Sequence, residues 1–238
     1  YTKGLDMQAT LLIRNLSKIY TCSPAGTVIQ NGFIACFHDR ILAVGKGDGS
    51  KYIEKDLTRI LDGTGCIAVP GFIEPFYHGS FDMEYKLRQD LTRRFYNGIL
   101  TFVTEDPALV RQDLCWRVYG RRQAASQSLY RLSRGDYEKG QLLTSLHDEY
   151  SLYSLQPLLW QIMQTKRIPE TELIRMITSL PAQALDLKDD GQIKKGMHAN
   201  LLLIYGKSFQ DYINTMGACP IEWIIHQGIP VWPQVIRC

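Results

Sequence analysis

The sequence has no apolar run near the roughly 18–20 residues that a helix needs to cross a bilayer. Its longest runs, such as residues 201–205, are far shorter, so no membrane span is expected. It also lacks any Cys-x-x-Cys pair. Cys22, Cys36, Cys66, Cys115, Cys219 and Cys238 are scattered along the chain, which argues against a zinc knuckle or a dense disulfide scaffold and predicts buried thiols. Neither sign of charge dominates, with 27 Lys plus Arg against 24 Asp plus Glu, so net charge points neither to nucleic acid nor to an anionic membrane. There is no phosphate-binding Gly-x-x-x-x-Gly-Lys loop, no dinucleotide fingerprint, no nucleophile elbow and no repeat of fixed period. Residues 1–10 carry Lys3 and Asp6 and lack the apolar stretch of a secretory signal, so the expected setting is the cytoplasm.

What is present is the composition of an ordinary folded protein: 238 residues, 45% apolar and 21% charged, enough for one sizeable domain or two small ones. Short β-rich runs at 10–13, 18–21, 32–37, 41–44 and 59–61 are punctuated by turn signals such as Asn31-Gly32 and Asp62-Gly63, and predict a β-meander. The run 66–69 then meets the sharp break Pro70-Gly71. Further on the period changes. Phe81, Tyr85, Leu91 and Phe95 predict one amphipathic helix, and Leu114, Val118, Ala125, Leu129 and Leu132 predict a second, with a buried strand over 99–104 between them. A short strand is expected at 142–146, a helix over 152–163, and another from Pro169 to Leu180 with the proline in its first turn. Strands return at 199–205, 221–226 and 229–232. The order is β, then mainly α, then β.

Two blocks at opposite ends carry a resemblance. The first includes Leu11-Leu12-Ile13-Arg14-Asn15, the segment from Asp39 to Gly45, Ile60-Leu61-Asp62-Gly63-Thr64-Gly65, and Val69-Pro70-Gly71-Phe72-Ile73-Glu74-Pro75-Phe76-Tyr77-His78. The second includes Ile168-Pro169-Glu170, Leu180-Pro181-Ala182-Gln183-Ala184-Leu185, the segment from Gly191 to Leu201, and that from Ile224 to Val231. Together they resemble the amidohydrolase superfamily. The segments 79–88 and 212–217 look closest to its imidazolonepropionase members. The resemblance implies a mixed α/β fold: a composite β-sandwich built from residues 1–68 and 188–238, and a shortened (β/α) barrel-derived region over 69–187. It also implies a metal-dependent hydrolase of non-peptide carbon–nitrogen bonds, with a small cyclic amide or amidine as substrate and one divalent metal, zinc or iron, as cofactor.

The departures from that pattern bear on chemistry. The family's first barrel strand ends in Asp-x-His-x-His, whose histidines point the same way from an extended segment and bind metal. Here the segment reads Glu74-Pro75-Phe76-Tyr77-His78, so Phe76 replaces one ligand and only His78 carries over. The resemblance places the metal-binding aspartate of the eighth strand at Asp148, with His147 beside it. Only 69 residues separate His78 from Asp148, whereas an eight-unit barrel takes about 250, so about two units fit. No histidine lies between His78 and His147. The fullest ligand set is then His78, Asp148 and either His147 or Glu105, with Asp148 also as the catalytic group.

Each residue has a plain structural reading too. His78 before Gly79 also fits a hydrogen-bonded structural histidine, and His147-Asp148-Glu149 fits the N-terminal end of a helix, where acids oppose the helix dipole. His38 and His198 are assigned no role, and His226 is expected on the sandwich surface. Arg111 to Lys139 interleaves basic residues with Trp116, Tyr119, Tyr130 and Tyr137. That pattern fits a solvated helix face better than a nucleic-acid strand site. Two functional readings stand: a hydrolase with impaired or lost catalysis, or a non-catalytic binding or assembly module that pairs with a second copy of itself.

Overall fold

The computed structural model describes residues 8–78, 83–112, 117–120, 129–130, 137–145 and 152–232. The N-terminal part holds β1 (Leu11–Tyr20), β2 (Val28–Phe37), β3 (Arg40–Lys46), β4 (Arg59–Asp62) and β5 (Cys66–Pro70). The middle holds β6 (Phe72–Glu74), α1 (Glu84–Tyr96), β7 (Ile99–Thr104), β8 (Arg111–Gln112), β9 (Arg117–Gly120), β10 (Leu129–Tyr130) and β11 (Leu142–Leu143). Next come α2 (Gln156–Thr165), α3 (Glu170–Met176), α4 (Ser179–Ala184), β12 (Leu201–Tyr205), α5 (Phe209–Asn214), β13 (Ile221–His226) and β14 (Ile229–Trp232).

Strands from both ends of the chain share one sheet, in the order β14-β13-β12-β5-β1-β2-β3, with β4 also paired to β1. The junction is the antiparallel pair β5 and β12, from Cys66 opposite Tyr205 to Pro70 opposite Leu201. Side chains alternate across a strand with period two, so each of these strands serves two cores. Cys66, Ala68, Leu201 and Leu203 join Leu11, Ile13, Ile34 and Ile225 inside the sandwich. Ile67, Val69, Leu202 and Ile204 face the other way, into a core shared with Phe72, Leu91, Phe95, Leu158 and Phe209. That is why β5 and β12 read as unbroken apolar runs: both faces are covered.

The runs 10–13 and 18–21 belong to one strand, β1. A bulge between Ile13 and Leu16 breaks its register against β2. Asn15 sits there at φ 61, a conformation that asparagine tolerates better than most residues, and its Nδ2 donates to Asp62 Oδ1 at 2.9 Å.

Beyond Pro70 the sheet type changes. β6, β7 and β9 run parallel, with α1 crossing between the first two, and β8 adds antiparallel to β9. β10 and β11 form a separate parallel pair. Among the described residues the two sheets do not close into a ring, so the fold is a sandwich joined to a shortened, open barrel remnant. α1 buries Leu87, Leu91, Arg94 and Phe95 and ends at Gly98, whose φ of 90 provides the left-handed turn into β7. A Cβ at Gly98 would lie 2.7 Å from Leu202 and 2.9 Å from the Phe72 ring, so this turn fits closely against β12.

Several expectations need correction, among them the helix from Pro169 to Leu180, which is split into α3 and α4. The second amphipathic helix is absent where it can be seen: Val118 lies in β9 opposite Phe102, and Leu129 lies in β10. Val118 and Tyr119 are β-favouring residues in a strand paired on both sides, with β7 and β8, and sheet pairing overrides the helical spacing. Tyr85 is exposed, leaving Leu87 to open the buried stripe of α1. His226 is buried, its ring edge-on to Phe95 of α1 at 5.7 Å, because the face of β13 that it occupies is covered by that helix.

Candidate functional site at the strand ends

β6 is an apolar strand that ends in an acid. Phe72 and Ile73 are packed into separate cores, and Glu74 is as fully buried as they are. A buried carboxylate requires hydrogen bonds and a counter-charge. Glu74 Oε2 accepts from the backbone amide of Ser145 at 2.8 Å and from its hydroxyl, and Oε1 accepts from Thr144 Oγ1 and from the amide of Phe76 at 3.2 Å. Thr144 and Ser145 directly follow β11, so the carboxylate bridges two strand ends.

The counter-charge comes from α1. Arg94 is completely buried. Its Nε donates to Asp90 Oδ2 at 2.8 Å, and its Nη1 donates to Ser145 Oγ and, at 2.7 Å, to the carbonyl of Leu152. The guanidinium carbon lies 5.7 Å from the Tyr77 ring centre and 5.5 Å from that of Tyr153, within cation–π range. Tyr77 closes the circuit, its hydroxyl donating to Asp90 Oδ2 at 2.9 Å. Burial pushes the Glu74 carboxyl above the ordinary glutamate range, while Arg94 and the Ser145 and Thr144 donors pull it back. Removing one partner from so closed a network costs about 3–5 kcal/mol, because the others stay buried without compensation.

His78, four residues beyond Glu74, is exposed, and its ring lies 4.7 Å from that of Phe76. Phe76 stands where the family pattern has a ligand and offers no lone pair. Glu105 follows β7 on the exposed rim, and the carboxylate of its neighbour Asp106 accepts the Ala108 amide at 2.9 Å to cap a short turn. His147 and Asp148 lie outside the described residues. Among the described residues no three His, Cys, Asp or Glu side chains group so as to hold a metal ion. The donors described therefore do not fit a catalytic zinc, which usually takes three protein ligands with at least one imidazole. His198, given no role from the sequence, braces Asp190 through Nδ1 at 3.2 Å, and Asn200 donates to the same oxygen at 3.0 Å.

No family model matches the chain. In sequence it is 38% identical over 98 residues to imidazolonepropionase of Caldanaerobacter subterraneus subsp. tengcongensis, a match covering 34% of this chain and 22% of that protein. The sequence likeness to imidazolonepropionase is thus confined to about a third of this chain. Solved structures resemble the chain in fold at low sequence identity. An amidohydrolase from a Sargasso Sea environmental sample superposes with TM-score 0.66 at 11% identity, over 93% of this chain and 92% of that one. Enamidase, described as a member of the amidohydrolase superfamily, gives TM-score 0.64 at 13% identity, over 92% and 95%. The chain spans about a fifth of the length of the curated imidazolonepropionases that it matches. Among the described residues, no helix is long and apolar enough to cross a membrane.

The sequence motifs assign no role to Glu74, Asp90, Arg94, Thr144 and Ser145. A signal for two of them was available. Leu87, Leu91, Arg94 and Phe95 share one helical stripe, and an arginine on an apolar stripe, four residues after Asp90, implies a buried pair.

Proposed function

We propose that this chain is an amidohydrolase-derived protein of the imidazolonepropionase kind in which metal-dependent hydrolysis of cyclic amide or amidine carbon–nitrogen bonds is impaired or lost. The observation that carries the reading is the composition of the first strand end. Phe76 takes the place of an imidazole, and the buried acid Glu74 is saturated by Thr144, Ser145 and the Phe76 amide. In an intact relative a bound divalent ion would lower the pKa of a water for attack on the amide carbon. His78, with Asp148 and His147, is the remainder of such a ligand set on this chain. The partners to test are a small cyclic amide-like ligand and a second copy of the chain, in the cytoplasm, with neither membrane nor nucleic acid required.

The deciding experiment measures zinc and iron in protein purified without added metal, together with turnover of an imidazolone-type cyclic amide across a zinc titration. Metal well below one equivalent and no turnover above buffer are expected. Near-stoichiometric metal with turnover that disappears in both His78→Ala and Asp148→Ala would overturn the reading.

A further inference from the structure

We infer that Arg94 is the resident cation of this rim: through Ser145 and Glu74 its guanidinium ties the end of β6 to the end of β11. The inference rests on the reading proposed above and deepens it, since it assigns to a side chain the charge that assembles the site.

The argument starts from how the two strand ends meet. β6 pairs only with β7, and β11 only with β10, so among the described residues no ladder joins β6 to β11. The link between them is made by Glu74, which accepts the Ser145 amide and both hydroxyls of the Thr144-Ser145 pair. A carboxylate in that position is a liability unless a positive charge lies close by. The nearest is Arg94, whose Nη1 reaches the same Ser145 hydroxyl that donates to Glu74. Arg94 faces two carboxylates, Glu74 through that hydroxyl and Asp90 directly, and Asp90 is held in turn by Tyr77, the residue before His78. The guanidinium therefore reaches Asp90 of α1, Tyr77 after β6, Ser145 after β11 and the Leu152 carbonyl ahead of α2.

Geometry also explains why the cation is an arginine. The planar fork donates along separate directions, to Asp90, to Ser145 and to Leu152, while its face lies near Tyr77 and Tyr153. A lysine carries the same charge on one point and cannot reproduce the fork.

The test is a thermodynamic cycle on the whole chain, using Arg94→Met, Glu74→Gln and the double variant, with unfolding read by circular dichroism in chelator and in added zinc. Arg94→Met is expected to lower Tm by about 10 °C. Glu74→Gln is expected to lower it in the wild-type background and to cost little in the Arg94→Met background, because the carboxylate it removes has already lost its partner. Chelator and zinc should leave the wild-type Tm where it is, and His78→Ala should not change that. Should Arg94→Met fail to fold, the same cycle is run with Arg94→Lys, which keeps a charge and loses the fork. Independent, additive losses would overturn the inference. So would a wild-type Tm that zinc raises by several degrees through His78. Turnover of a cyclic amide alone would refute the functional reading and leave the coupling between Arg94 and Glu74 intact.

Discussion

β12 gives a direct test of whether this sheet is buried on both sides. Leu202 and Leu203 are adjacent, both fully inaccessible, and point into different cores. Leu203 pairs opposite Trp223 and Ala68 and fills the sandwich interior; Leu202 pairs opposite Ile224 and Val69 and meets Phe72 and the helices beyond. Truncating a closely packed leucine to alanine costs about 2–5 kcal/mol, the lost transfer energy plus the cavity left behind. For a chain of this size each kcal/mol lowers Tm by about 2–4 °C, so Leu202→Ala and Leu203→Ala should each lower Tm by about 6–12 °C if each costs about 3 kcal/mol. The double variant should be additive within about 0.5 kcal/mol, since side chains on opposite faces share no packing partner. Tyr205→Ala, at the exposed end of the same strand, is the control and should be close to neutral. Urea unfolding followed by circular dichroism measures all four. If either leucine variant costs less than about 1 kcal/mol, that face is open to solvent and the two-core description fails.

Other outcomes follow from the same structure. A chain ending at Asp186 loses β12, β13 and β14 and exposes the edge of β5, so it should be insoluble or lack a cooperative unfolding transition. Soluble, cooperatively folding truncated protein would contradict this. Burial pushes the Cys22 and Cys36 thiols up to about 12 and that of Cys66 to about 11, so at pH 7.5 alkylation of the native chain should spare these three and reach exposed Cys219 before them. Peptide mapping by mass spectrometry checks the order. Because the Glu74 carboxyl is raised in the folded state, its contribution to stability is complete below the ordinary glutamate range and declines as pH rises through the folded value. Wild-type stability relative to Glu74→Gln should therefore fall with increasing pH above that range. A flat or rising difference in urea midpoints would refute the sign.

Most strands were legible because their determinants are local and periodic. Strand 99–104 is bounded by Asn97-Gly98 and by Asp106-Pro107, and every residue of β7 is buried, so length and punctuation sufficed. β12 to β14 were similarly marked by β-rich runs and the Gln227-Gly228 turn. The β1 bulge was hidden because Asn15 reads as a break in the pattern, when its left-handed backbone lets one strand continue across the interruption. The helix expected through Val118 failed for a different reason. Apolar residues at helical spacing and a short strand look alike when only one or two side chains are buried, and a non-local partner, Phe102, settles the choice.

The rim was less legible because its logic is a charge inventory distributed over separate segments. His78 was singled out by its spacing in the family pattern, whereas the buried polar groups Glu74, Asp90, Arg94 and Ser145 come from β6, α1 and the β11 exit. No motif joins them in sequence. What unites them is that a low-dielectric interior makes each unpaired charge expensive, so an acid at the end of an apolar strand requires a partner somewhere in the chain. Read this way, Glu74 in Phe72-Ile73-Glu74 and Arg94 in the Leu87, Leu91, Phe95 stripe are two halves of one constraint. The chain satisfies that constraint with a guanidinium fork fixed to a helix, and a fork so placed fixes the two strand ends before any ligand arrives.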